Sequence, residues 1–105
     1  MRINFRSQSG ISALLVAHVR RRIYFELGRF SSRIKRVTIR IAGMEDGYPA
    51  RQVSCSIIIQ LDKQGVVDVC DFDGDITAAI DRAIGRAARS VVRSLAPRYT
   101  DGDLS

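Results

Sequence analysis

The stretch Asp75-Ile76-Thr77-Ala78-Ala79-Ile80-Asp81-Arg82-Ala83-Ile84-Gly85-Arg86-Ala87-Ala88-Arg89-Ser90-Val91-Val92-Arg93-Ser94-Leu95 organises the chain. Its apolar residues recur at helical spacing. With Ile80 at zero on a wheel of about 100° per residue, Ile76, Ala83, Ile84, Ala87, Val91 and Leu95 fall within about 60°. Arg82, Arg86, Arg89 and Arg93 fall between about 180° and 240° on the same wheel. The pattern predicts a helix with one core face and, opposite it, a ladder of arginines with no acid between them. Like charges at this spacing cost an isolated helix roughly 0.2–0.5 kcal/mol per pair. A polyanion lying along the face would remove that repulsion.

The rest of the chain is read outward from this helix. Upstream, Val66 to Phe72 reads as a strand, preceded by the turn Asp62-Lys63-Gln64-Gly65. Val53, Cys55, Ile57, Ile59 and Leu61 alternate with Ser54, Ser56 and Gln60 in a further strand. Gly43 to Ala50 reads as a loop, with Gly47 and Pro49 as punctuation. Before it, Val37, Ile39 and Ile41 alternate with Thr38 and Arg40 as a strand. Leu15, Val16, Val19, Ile23, Leu27 and Phe30 share one face of a helix running from about Ala13 to Phe30, capped by Ser9 or Ser12. Ile3 and Phe5 alternate with Arg2, Asn4 and Arg6 in a short first strand, and Ser7-Gln8-Ser9-Gly10 breaks it. Pro97 ends the arginine helix, and residues 99–105 form a short acidic tail.

The element order is β-α-β-β-β-α, an α+β class. A right-handed crossover through the first helix sets strands one and two parallel. Hairpins make the other pairs antiparallel, giving a four-stranded mixed sheet with two helices packed on one face. Residues 1–98 make one domain.

Composition narrows the partner. The 105 residues carry a formal net charge of +6, which favours an acidic partner. Of the basic residues only Lys35 and Lys63 are lysines. Arginine offers a planar fork suited to phosphate, although an Arg-rich codon bias explains part of the excess. The charge is segregated: residues 1–60 carry eleven basic residues against three acids, and residues 61–81 carry six aspartates against Lys63. Residues 82–98 carry five arginines and no acid. Cys55 and Cys70 have no CxxC context and read as reduced, half-buried strand residues of a cytosolic protein. No apolar run reaches membrane-spanning length, and the N-terminus has no signal-peptide pattern. The expected location is the cytoplasm.

The run Asp75-Ile76-Thr77-Ala78-Ala79-Ile80-Asp81 resembles the D-x-Y-x-A-I-D signature of ribosome hibernation promoting factors and the ribosome-associated translation inhibitor. Met1-Arg2-Ile3-Asn4-Phe5 is similar to that family's first strand, M-x-I-x-I. Arg86, Arg89 and Arg93 stand where the family has basic residues, and the element order matches along nearly the whole chain. Thr77 replaces the usual Tyr, and the link Ser7 to Ser12 is short and lacks its Thr-Pro. The resemblance implies the short form of the family and a protein that docks on the small ribosomal subunit and its rRNA. Such docking occludes the mRNA/tRNA channel, in a hibernation or stress response, with no bond made or broken. The nucleic-acid-binding residues implied by the helix match and the charge pattern are Arg82, Arg86, Arg89 and Arg93, with Arg21 and Arg29 from the first helix. Neither a cofactor, a membrane nor a small-molecule substrate is expected, and a weak homodimer is the remaining partner expectation.

Other features are weighed against this reading. Arg20 and Arg22 are expected to flank the core of the first helix and Arg21 to point outward. Tyr24 and Phe25 lie off the core stripe and read as a protein contact or a wider buried face. His18 has no partner at three or four residues' distance and reads as a packing residue. The run Asp71-Phe72-Asp73-Gly74-Asp75 looks like a phosphatase D-x-D-G-T loop or a Ca²⁺ loop. Asp75 stands where the Thr would be, and no bidentate Glu follows. The run reads instead as a strand end, a turn and a helix cap, and no enzyme activity is expected. The alternatives are an RNA-binding module acting outside the decoding channel and a protein-interaction domain that dimerises through a sheet edge or through Tyr24 and Phe25.

Overall fold

The computed structural model describes residues 1–7, 11–44, 52–63 and 65–96. The elements are β1 (Arg2–Ser7), α1 (Ala13–Leu27), a 3-10 segment (Gly28–Arg33), β2 (Ile34–Met44), β3 (Gln52–Leu61), β4 (Val66–Asp73) and α2 (Ile76–Leu95). The β-α-β-β-β-α order is the one the periodicities predict. The strands form one sheet in the order β1-β2-β3-β4. β1 lies parallel to β2, and the β2–β3 and β3–β4 pairs are antiparallel. The α+β architecture expected from the sequence is the one observed.

Period-two alternation decides which side of the sheet is covered. Val37, Ile39 and Ile41 of β2, Cys55, Ile57, Ile59 and Leu61 of β3, and Val67 and Val69 of β4 are buried. Above them lie Val19, Ile23 and Leu27 of α1 and Ala79, Ile80, Ala83, Ile84, Ala87, Ala88 and Val91 of α2, also buried. Ile3 and Phe5 of β1 pack against this cluster. The alanines at 79, 83, 87 and 88 let α2 approach the sheet closely. The large residues Ile80, Ile84 and Val91 fill the space between them.

Three local features explain the element ends. The Ser12 Oγ accepts from the Leu15 N–H at 3.1 Å and caps α1; Ser9, the other candidate cap, lies outside the described residues. The sequence reading carried this helix to Phe30, whereas the α-helix stops at Leu27 and tightens into the 3-10 segment. Gly28 is a poor helix former, and last turns commonly tighten this way. Asp75 caps α2, its Oδ1 accepting from the Thr77 N–H at 2.9 Å. At the β3–β4 turn Gly65 adopts φ +85°, a left-handed conformation that suits glycine. The Leu61 N–H donates to its carbonyl at 3.2 Å. β2 is longer than the periodicity predicts, because the β2–β3 ladder continues to the pair Met44↔Gln52. The expected loop from Gly43 therefore begins later, and its positions 45–50 lie outside the described residues, as do Pro97 and the expected acidic tail.

Candidate nucleic-acid interface

The expected arginine ladder of α2 divides into two groups. Arg82 and Arg86 turn back onto the end of β4. Arg82 Nε donates to Asp71 Oδ1 at 3.0 Å, and its Nη2 donates to Asp73 Oδ2 and to the Phe72 carbonyl, both at 2.9 Å. Arg86 Nη1 donates to Asp71 Oδ2 at 3.1 Å and to the Cys70 carbonyl at 2.9 Å. The ladder read from the helix alone as unneutralised is thus half neutralised. The acids that balance it sit on a strand, where a helical wheel does not look.

Asp71 and Asp73 occupy the helix-covered face of β4, in line with Val67 and Val69. That side faces α2, whose Arg82 and Arg86 guanidiniums meet the two carboxylates. Partial burial pushes the Asp71 carboxyl up. The hydrogen bonds from Arg82 and Arg86 outweigh it and hold the group below the ordinary carboxylate range. Asp73 is also held low, first by accepting from the Asp75 N–H and then by Arg82. Arg82 is pushed up by Asp73 and Asp71. Asp71 and Asp73 of the D-x-D-G run close the β4–α2 corner through these ion pairs, which the strand-end, turn and cap reading did not include, while Asp75 caps the helix.

Arg89 and Arg93 lie further along α2. Arg93 bonds only Ser90, at 3.1 Å, within its own helix, and Arg89 folds over Gly85. Arg89 and Arg29 flank a groove between α1 and α2, which Phe25, Glu26, Gly85, Ala88 and Val92 also line. Phe25 is 80% exposed there, so the wider buried face considered for Tyr24 and Phe25 does not form. Arg21 projects from the outer side of α1. Among the described residues Arg21, Arg29, Arg89 and Arg93 make no ion pair. Arg29 instead stacks on Phe30, with Cζ 4.8 Å from the ring centroid.

The other two arginines of the α1 cluster have internal partners. Arg20 lies over Phe5 at 5.2 Å and Arg22 approaches Asp81 at 3.4 Å. His18 is not a mere packing residue: its Nε2 lies 2.9 Å from Asp81 Oδ1. The partner comes from α2, beyond any same-helix spacing. Cys55 is buried and faces the helices, where burial and then the neighbouring Cys70 and Asp71 push its thiol up to about 12. Cys70 is exposed on the other face of the sheet, rather than half-buried like an interior strand residue.

One group escapes a single-element reading altogether. The parallel register sets Arg2 beside Arg36 and Arg6 beside Arg40, all exposed on the face that no helix covers. The signal was available in the alternation of Arg2, Asn4, Arg6 and of Arg36, Thr38, Arg40, once the two strands are known to be neighbours. Among the described residues no helix is long and apolar enough to cross a membrane.

No family model and no curated protein matches the chain. Solved structures do. The N-terminal domain of Protein Y from Thermus thermophilus superposes with a TM-score of 0.73 at 22% identity, covering 90% of this chain and 99% of that one. A ribosomal subunit interface protein from Coxiella burnetii superposes with a TM-score of 0.71 at 15% identity, covering 92% and 100%. At these identities the shared property is the fold. The chain therefore has the fold that its resemblance to hibernation factors implied, and it has that fold in common with Protein Y's N-terminal domain and a ribosomal subunit interface protein.

Proposed function

We propose that this protein is a ribosome-associated translation inhibitor of the hibernation-factor type. It docks on small-subunit ribosomal RNA through the outer surface of its helix layer and occludes the mRNA/tRNA channel, without enzymatic chemistry and in the cytoplasm. The observation that carries the reading is the set Arg21, Arg29, Arg89 and Arg93. These arginines have no acid partner among the described residues, on a fold shared along most of the chain with a ribosomal subunit interface protein. Phe25, in the groove flanked by Arg29 and Arg89, offers an apolar ring for a splayed base. Arg82 and Arg86 have a double role: they close the β4–α2 corner, and Arg86 keeps Nε and Nη2 for an outer contact.

The test is sedimentation through sucrose gradients with 30S and 70S particles at low and high salt. Wild type is expected to travel with the small subunit at low salt and to leave it at high salt, since each phosphate contact contributes about −0.9 to the slope of log affinity against log salt on duplex and about −0.7 on single strands. Arg21→Glu/Arg89→Glu is expected to remain at the top. Wild type found only at the top would sink the reading. The exposure of Leu14 and Phe25 on α1 favours a second reading, dimerisation through that helix. A stable dimer without ribosome association would select it.

A further inference from the structure

The side of the sheet opposite the helices carries a feature that the helix-layer reading does not use. Arg2, Arg36, Arg6 and Arg40 sit at the corners of a rectangle. Its short edge is the strand spacing, about 4.8 Å, and its long edge is four residues of strand, about 13 Å. Between the two arginine rows lie Asn4 and Thr38, neutral hydrogen-bonding groups on the same face. The exposed face of β3 adds Ser54, Ser56, Ile58 and Gln60, with no acid. The acid on this face among the described residues is Asp68, on the far strand β4, level with Ile58. None of the four arginines makes an ion pair among the described residues. Like charges side by side across a strand pair are destabilising, so the free protein keeps a repulsion that a polyanion would relieve.

Phe72 lies on the same face, paired with Ser54 and beyond it Ala42. It is 48% exposed, and Arg82 anchors its carbonyl. An exposed ring on the open sheet face, two strands from a block of guanidiniums, combines the two elements that bind unpaired nucleic acid: a stacking platform and a cationic track for the backbone. Arginine forks and neutral amide and hydroxyl groups are the donors that phosphate and sugar take.

We propose that the open sheet face is a second RNA-binding surface, one that takes an unpaired segment with its phosphates along Arg2, Arg6, Arg36 and Arg40 and a base on Phe72. The helix layer and the sheet face lie back to back, so one RNA segment does not reach both. The protein then bridges two segments, which extends the ribosomal-RNA reading and rests on it for the identity of the first.

The probe is a fluorescein-labelled oligouridine, followed by anisotropy against salt, beside the sucrose gradients. Arg36→Gln/Arg40→Gln is expected to lower the salt slope by about 1.4, two contacts at about 0.7 each. Phe72→Ala is expected to weaken oligouridine binding roughly 5- to 150-fold, the range of one lost base stack. Arg21→Glu/Arg89→Glu is expected to keep oligouridine binding while losing the small subunit. All five positions are exposed, and unchanged thermal melts check the folding of each variant. Oligouridine affinity unchanged in both sheet-face variants, or lost only in Arg21→Glu/Arg89→Glu, would overturn the second surface and leave ribosome association standing. Failure of wild type to bind oligouridine at low salt, or sheet-face arginines that answer only to anionic lipid vesicles, would overturn it as well. Wild type absent from the small-subunit fractions but still binding oligouridine would instead refute the ribosomal reading.

Discussion

Arg82, in the second turn of α2, donates through Nε to Asp71 near the end of β4 at 3.0 Å, and the pair closes the corner between the last strand and the last helix. Asp71 is the better-shielded partner, its side chain 15% exposed against 47% for Arg82. The same guanidinium takes Asp73 and the Phe72 carbonyl, so three consecutive residues of the strand are tied to one side chain.

This corner makes stability acid-sensitive in a defined direction. Asp71 and Asp73 have folded-state values below the ordinary carboxylate range. Their contribution is therefore present above the unfolded value, about 3.9 for Asp, and is lost as pH falls through the lower folded values. Urea midpoints are expected to be level at neutral pH and to fall below about pH 4. In Arg82→Ala the neutral-pH midpoint is lower and the acid decline shallower. An unchanged acid decline in that variant would show that other carboxylates set it.

The α2 start depends on its cap. Asp75→Ala removes the acceptor of the Thr77 N–H and is expected to cost about 0.5–2 kcal/mol by chemical denaturation. Asp75→Asn is expected to retain most of the stability, because the side-chain oxygen still accepts.

The two cysteines are expected to separate by reactivity. A thiol raised to about 12 and buried under the helices is protonated at neutral pH and inert. A thiol-reactive chromophore is expected to label only Cys70 in the native protein, and Cys55 only on unfolding. Equal rapid labelling of both would contradict the placement of Cys55 in the core.

His18 and Asp81 hold α1 against α2. A double-mutant cycle with His18→Ala and Asp81→Ala is expected to give a coupling of about 0.2–1 kcal/mol, the range for a partly exposed pair. Zero coupling would leave the helix–helix contact to apolar packing and to Arg22, which also approaches Asp81.

The core itself is the most costly place to cut. Ile57→Ala, at a fully buried site of the central strand β3, is expected to cost about 2–5 kcal/mol. Ile58→Ala, one residue on and facing the open side, is expected to cost far less. The contrast checks the pleat and hence the register.

Much of this fold was legible because each element carries its own periodicity. Ile80, Ile84, Ala87 and Val91 declare the buried face of α2 by spacing alone, and Cys55, Ile57 and Ile59 do the same for β3. The element order and the right-handed crossover then leave few ways to assemble the sheet. The cap at Asp75 and the glycine at the β3–β4 turn were also readable, since both act within a few residues.

What lay outside the sequence was which side chains meet across elements. Arg82 and Arg86 looked unpartnered on a helical wheel, because the wheel holds one helix and their acids stand on β4. His18 looked isolated because Asp81 is 63 residues away. Arg2 and Arg36 are ordinary alternating strand residues until the parallel register places them side by side. The sequence by itself determined which face of each element seeks the core, since that follows from period and polarity. Only the tertiary structure decided which arginines are neutralised and which stand open to an anion, because charge pairing depends on distances across strands and helices that local spacing does not encode.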